Sequence, residues 1–124
     1  MIDIKIHSRA EAESLSEVEK KNSSMISIQG PDTPKSDLDA EDFDDRLLRL
    51  YFHDAEYADD RLVVFDKGNA MKILGFVSRS VPTEDENHTL HVHCLAGQSR
   101  SAGVALVLTE VLSCGEVKPT NKWE

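Results

Sequence analysis

The chain opens on alternation. Ile2, Ile4 and Ile6 are separated by Asp3 and Lys5, the two-residue period of a strand with one face turned inward. Ser8 follows, with Glu11 three residues on, the spacing of a capping box in which side chains satisfy the first backbone N–H groups of a helix. The pattern predicts a helix from there to about Lys21, with Ala12, Leu15 and Val18 on one side. Met25 to Ile28 reads as a second short strand, stopped by Gly30-Pro31. Residues 31–45 are rich in Asp, Pro and Ser and read as a solvated loop. Leu47 to Phe52 predicts a third strand, which leads into His53-Asp54 and the polar stretch Ala55 to Asp60. Ala70, Ile73, Leu74 and Val77 fall at helical spacing between about Asp66 and Arg79, and Pro82 with the polar run to His88 ends that helix. Leu90 and Val92 mark a last strand that delivers His93 and Cys94. From Ser101 to Leu112 the chain is apolar almost all round, which predicts a central, buried helix.

The order strand, helix, strand, strand, helix, strand, helix predicts an α/β fold: a central, mostly parallel sheet of four to five strands flanked by helices on both faces. The length fits a single domain over residues 1–124, in which 31–45 is an acidic loop and 113–124 a short tail of unassigned role that contains Trp123.

Charge narrows the function classes. Lys and Arg number 14 against 23 Asp and Glu, a net charge of -9. Nucleic acids and anionic membranes reward clustered cations, so neither is an expected partner, and an anionic substrate has to be attracted by a local device. No apolar run reaches the length of a membrane span, and the N-terminus lacks the basic-then-apolar order of a secretory signal. Two cysteines, Cys94 and Cys114, are then expected as thiols in a reducing cytoplasm.

The chemistry concentrates at His93-Cys94-Leu95-Ala96-Gly97-Gln98-Ser99-Arg100-Ser101. Five residues separate Cys94 from Arg100, between an apolar strand and an apolar helix. A strand-to-helix turn aims several backbone N–H groups at one point, and the helix N-terminus adds about half a positive charge there. Gly97 lets the backbone bend without a Cβ in the way. The main chain of Leu95, Ala96, Gly97, Gln98, Ser99 and Arg100 can thus form a nest for a tetrahedral oxyanion, and the Arg100 fork can hold two of its oxygens. The same positive surroundings favour thiolate over thiol at Cys94. Ser101 is placed to donate its hydroxyl to the sulfur, and His93 to orient the loop rather than act as a base. In a strand His91 and His93 project to one face and Cys94 to the other, so the three diverge and no metal centre is expected. Asp37, Asp39, Glu41 and Asp42 lack the Gly and closing Glu of a calcium loop. His7, His53 and His88 read as surface or turn residues.

The nine residues from His93 to Ser101 resemble the signature loop of the protein tyrosine phosphatase superfamily, in its small dual-specificity-like branch. The order of elements from Ile2 to about Leu112 is similar to that of compact bacterial and phage members. The resemblance implies a phosphatase-like fold with a shortened C-terminal helical region, since most members add further helices beyond the position of Leu112. It implies hydrolysis of a phosphorylated protein or small phosphoester, phosphotyrosine first and phosphoserine or phosphothreonine as further candidates. The route is a phosphocysteine intermediate, without cofactor or metal. It also implies a general acid from the loop after the third strand, which matches Asp54, with Asp59 and Asp60 as rivals. Leu95, Ala96, Gln98 and Ser99 are neutral where relatives acting on inositol phosphates carry lysines, which disfavours highly phosphorylated lipids. Gln98 is a candidate for placing water. A face left open by the short tail could pair two copies as a homodimer. Two other readings keep the same loop: a phosphate-binding module without turnover, and a thiolate-based arsenate reductase. Cys114, otherwise an incidental thiol, is the candidate resolving cysteine for the latter.

Overall fold

The computed structural model describes residues 2–53, 65–80, 88–95, 97, 99–111 and 117–119. The elements run β1 (Ile2–Ser8), α1 (Arg9–Glu13), α2 (Glu17–Lys20), β2 (Ser23–Gln29), a 3-10 turn (Ala40–Phe43), β3 (Leu47–Tyr51), α3 (Lys67–Ser80), β4 (His88–Cys94), α4 (Ser99–Val111) and β5 (Val117–Pro119). The strands form one sheet in the order β3-β2-β4-β1-β5, and every pairing is parallel. This is the α/β architecture that the alternation of strands and helices predicts. The short β5, paired with β1, comes from the segment expected to be a tail.

Strand alternation sorts the side chains between two faces. Ile4, Ile6, Ile26, Ile28, Leu50, Leu90 and Val92 turn to one face and pack with Ile73, Phe76 and Val77 of α3 and Val104, Ala105 and Leu108 of α4. The opposite face has a smaller apolar cluster of Ala12, Met25 and Phe43, against which Leu15, Leu38 and Leu47 pack. Around that cluster the buried side chains are polar, among them Ser27, His91 and His93.

Several expectations are corrected by packing. The single helix from Ser8 to Lys21 is two short ones. Ser8 and Glu11 form the expected capping box at 3.2 and 2.8 Å, but Ser16 and Glu19 form a second one at 3.2 and 3.0 Å. A residue in cap geometry has extended backbone and cannot continue a helix from upstream, so Ser16 divides the segment. Val18 consequently faces solvent, 78 % exposed, while Ala12 is buried. The loop 31–45 is not simply solvated. Phe43 is fully buried, and the Arg49 guanidinium reaches in to donate to the Leu38 carbonyl at 2.9 Å and to Ser36 Oγ at 3.0 Å. Nor is α4 buried all round: Leu106 is 52 % exposed, because the helix covers one face of the sheet and, among the described residues, none packs against its outer side. His88 and His7 are not surface or turn residues. His88 opens β4 and is buried, with Nε2 2.8 Å from Ser24 Oγ, and His7 Nε2 lies 2.8 Å from His91 Nδ1. Among the described residues no helix is long and apolar enough to cross a membrane.

The topology also fixes where a ligand is expected. From β1 the chain passes over the polar face to β2, two places along the sheet. From β4 it passes through α4 on the apolar face toward β5, two places the other way. Adjacent parallel strands whose connections leave in opposite directions open a crevice at their C-terminal ends, which is where open α/β sheets bind ligands. The strands concerned are β1 and β4, and their last residues, Ser8 and Cys94, are paired.

Candidate active site

Cys94 is the last residue of β4, 2 % exposed, with its side chain in the apolar core beneath α4. Ser101, fully buried in the first turn of α4, places Oγ 3.3 Å from Cys94 Sγ. As a thiol, Cys94 is the donor in this contact and the Ser101 hydroxyl oxygen the acceptor. Strand end and helix start are thus joined by the pair of side chains that their spacing in the sequence brings together.

The turn between them is pressed onto β1. Gly97 has φ +70°, and a Cβ there would stand 2.6 Å from the Ser8 nitrogen and 2.7 Å from the His7 carbonyl carbon. No side chain fits, because the obstruction is the His7–Ser8 peptide itself, which cannot move aside as a flexible side chain could. One residue past β1, the Arg9 N–H donates to the Leu95 carbonyl at 3.1 Å. The loop is therefore clamped between the end of β1 and the start of α4.

Arg100 is half-buried, and its Nη1 donates to the Phe52 carbonyl at 3.2 Å, one residue past the end of β3. The Phe52 N–H in turn donates to the Gln29 carbonyl at 3.0 Å. One guanidinium thus spans from the start of α4 to the end of β3. It lines a cleft of ≈ 240 Å³ together with Arg9, Ile28, Gln29, Gly30, Thr33, His53 and Leu95, residues from the C-terminal ends of all four longer strands. The second cation of this cleft, Arg9, is engaged by protein groups. Its Nε lies 3.3 Å from a Glu13 carboxylate oxygen, and its other nitrogens donate to the Pro34 and Lys35 carbonyls at 3.0 and 2.7 Å. Glu13 is held below the usual carboxylate range, first by the Asp37 N–H and also by Arg9.

On the opposite face of β4, His93 is fully buried with Nε2 2.6 Å from Ser27 Oγ. Ser27 Oγ is 2.8 Å from Ser36 Oγ, which accepts from Arg49. Burial pushes the His93 imidazole down to about 4, so near neutral pH the ring is uncharged and oriented by its hydrogen bonds. His91 is pushed to about 4 by burial, with the neighbouring His7 adding to the effect, and its Nε2 lies 3.2 Å from the Glu19 carbonyl. His91 and His93 thus occupy one face and Cys94 the other. Among the described residues no three His, Cys, Asp or Glu side chains are placed to hold a metal ion.

The structure brings Cys94, Ser101, Gly97, Leu95 and Arg100 to one turn, and Ser99 opens α4. Asp54, Asp59, Asp60, Ala96, Gln98, Cys114 and Trp123 lie outside the described residues. His53, next to Asp54, lines the cleft. Sequence reasoning passed over Gln29, Thr33 and Arg9 as site residues, and also Ser27 and Ser36 behind His93. The alternation of β2 does put Ser27 and Gln29 on one face, but that face meets His93 only once β2 pairs with β4, which lies far along the chain. The chain has no match among protein-family models, curated proteins or solved structures.

Proposed function

We propose that the chain is a cysteine-dependent phosphomonoesterase acting on phosphotyrosine in proteins, with phosphoserine and phosphothreonine within reach of the same chemistry. The observation that carries this reading is the meeting of Cys94 Sγ and Ser101 Oγ at 3.3 Å on a turn bent at Gly97, with Arg100 lining the adjoining cleft at the C-terminal ends of the parallel strands. The Cys94 thiolate attacks phosphorus in line and the bond to the ester oxygen breaks, while Arg100 and the amides of the turn hold the equatorial oxygens. The leaving oxygen takes a proton from Asp54, which follows two residues after the Phe52 carbonyl that anchors Arg100. Water, giving its proton back to Asp54, then attacks the phosphocysteine, the sulfur–phosphorus bond breaks, and the Ser101 hydroxyl donates to the departing thiolate. Inorganic phosphate is released. Every group in these steps belongs to the chain or to water, and the cytoplasm is the compartment that keeps Cys94 reduced. The charge of -9 makes nucleic acid and membrane surfaces poor partners.

The test is release of p-nitrophenol from p-nitrophenyl phosphate at about pH 6, with chelator and reductant present, by wild type and Cys94→Ser. Release that disappears in the variant supports the reading. Phosphate binding without release in the wild type points instead to a binding module, and thiol-dependent arsenate reduction lost in Cys114→Ser to a reductase. Asp54→Ala is expected to slow turnover about 100-fold or more, and unchanged turnover moves the acid to Asp59 or Asp60.

A further inference from the structure

Gln29 ends β2 and is 4 % exposed. Its Oε1 accepts from the Ser36 N–H at 2.9 Å, so the oxygen end of the amide is engaged and the nitrogen end is turned away from Ser36. Among the described residues, Gln29 Nε2 is the buried side-chain atom that has no hydrogen-bond partner. Native proteins pair nearly all buried donors, and an orphan is a feature to be explained. Gln29 also lines the cleft that contains Arg100. Gln29 lines that cleft while its Nε2 is closed to water as it stands, so a ligand that brings an acceptor satisfies this donor as the side chain turns toward the cleft.

The kind of acceptor follows from position and charge. Met25 and Ser27 precede Gln29 on one face of β2, with Met25 in the smaller cluster and Ser27 on His93. Ile26, Ile28 and Cys94 belong to the core on the opposite face. Gln29 and the sulfur therefore lie on opposite faces of the sheet, and in the phosphomonoesterase reading a phosphoryl group held by Cys94 and Arg100 leaves Gln29 to the remainder of the substrate. That side does not suit a second anion. Arg9 is engaged by Glu13 and two carbonyls, and Asp32 stands 3.8 Å from His53 Nε2 and is nearly fully exposed. A neutral amide donor there pairs with a neutral oxygen. Leu95, 64 % exposed, adds apolar wall to the same cleft. A neutral carbonyl flanked by carbon is what a peptide main chain presents.

We propose that Gln29 Nε2 donates to a main-chain carbonyl flanking the phosphorylated residue, so that Gln29 selects phosphopeptides over small phosphoesters. This rests on the phosphomonoesterase reading above. The experiment compares kcat/KM on phosphotyrosine capped as acetyl and methylamide, which carries two carbonyls, with phenyl phosphate, which carries none. It uses wild type, Gln29→Glu and Gln29→Met. Gln29→Glu keeps an oxygen for the Ser36 N–H and removes the amide donor. Gln29→Met removes the donor without adding charge, and serves where the first variant fails to fold. The expected result is a loss of about 10-fold on the capped substrate, mostly in KM, with phenyl phosphate changed by less than about twofold. Equal losses on both substrates, or no loss on either, would overturn the assignment to Gln29 while leaving the phosphomonoesterase reading intact. A wild type that hydrolyses neither substrate removes both.

Discussion

The two faces of the sheet use the same strands for opposite purposes. Toward α3 and α4 the strands turn isoleucine, leucine and valine, and the core there is continuous from Ile4 to Leu108. Toward α1, α2 and the 3-10 turn they present Ser27, Gln29, His91 and His93, and the apolar cluster shrinks to Ala12, Met25 and Phe43 with their neighbours. The first face stabilises the fold by removing apolar surface from water. It also holds the Cys94 sulfur in a dry setting where Ser101 is its nearby hydroxyl. The second face supplies direction. A hydrogen-bonded run from Arg49 through Ser36 and Ser27 reaches His93 and fixes the strand one residue before the cysteine. Neighbouring residues of β4 thus divide between the faces, with the Cys94 side chain on the apolar side and the hydrogen-bonded His93 on the polar side. The difference teaches that burial here does not mean one environment: both faces exclude water, but one is packed with carbon and the other is held in place by hydrogen bonds.

Perturbing each face separately breaks or sharpens this contrast. Cys94→Ser is expected to abolish turnover of p-nitrophenyl phosphate, by roughly four orders of magnitude, and to leave the urea midpoint nearly unchanged because the two side chains are close in volume. Acid should act in the reverse way, through buried histidines on both faces: His91 and His93 on the polar side, and His88 on the side of Leu90, Val92 and Cys94, where it bonds Ser24 beside the end of α3. His88, His91 and His93 are each pushed from 6.5 to about 4, mainly by burial. The folded state therefore favours the neutral rings, while the unfolded chain protonates near the ordinary value. Above about pH 6.5 these groups contribute nothing to the pH dependence. As pH falls from there toward 4 the unfolded state gains protons that the folded state does not, and each ring removes on the order of 3 kcal/mol at the acid limit. Urea melts should show a stability plateau near neutral pH and a steep decline below about pH 6. A flat profile down to about pH 4 would contradict the burial of these rings.

Gly97→Ala tests the clamp where the faces meet. Its Cβ would approach the backbone of His7 and Ser8 to within 3 Å, at a positive φ, so the turn must shift. Displacement of this kind is expected to lower turnover about 100-fold with a smaller loss of thermal stability. The smallest pair is the most diagnostic. Ser101→Ala should reduce turnover about 10-fold, from loss of the donor to the leaving thiolate, with stability little changed. Ser27→Ala, which strips His93 Nε2 of its partner, should cost about 1–2 kcal/mol in urea unfolding with the milder kinetic effect. Reversed outcomes for these two serines would erase the division between the faces.

Short-range physics was readable along the chain. Alternation at Ile2, Ile4 and Ile6 placed β1, the Ser8–Glu11 spacing placed the start of α1, and the interval between Cys94 and Arg100 located a turn between strand and helix. Each of these depends on contacts over two to six residues, and the sequence states such spacings directly. The same reasoning misjudged the segment to Lys21, because a second capping box at Ser16 competes locally with helix propagation. Residues 31–45 are largely exposed, as a solvated loop should be, but the surrounding acidic residues masked Phe43 as a buried anchor within it.

Composition and order were sufficient for the α/β class, the parallel sheet and the turn that carries the cysteine. Which strands lie side by side, and so which distant residues share a wall, was settled only when the chain collapsed. The pairing of β4 with β1 and β2 depends on which apolar faces can be covered together by α3 and α4, a condition on the whole molecule that no window of sequence contains. That is why Arg100 could be read from its spacing to Cys94, whereas Gln29, whose amide nitrogen has no partner and which lines the same cleft, became visible only in three dimensions.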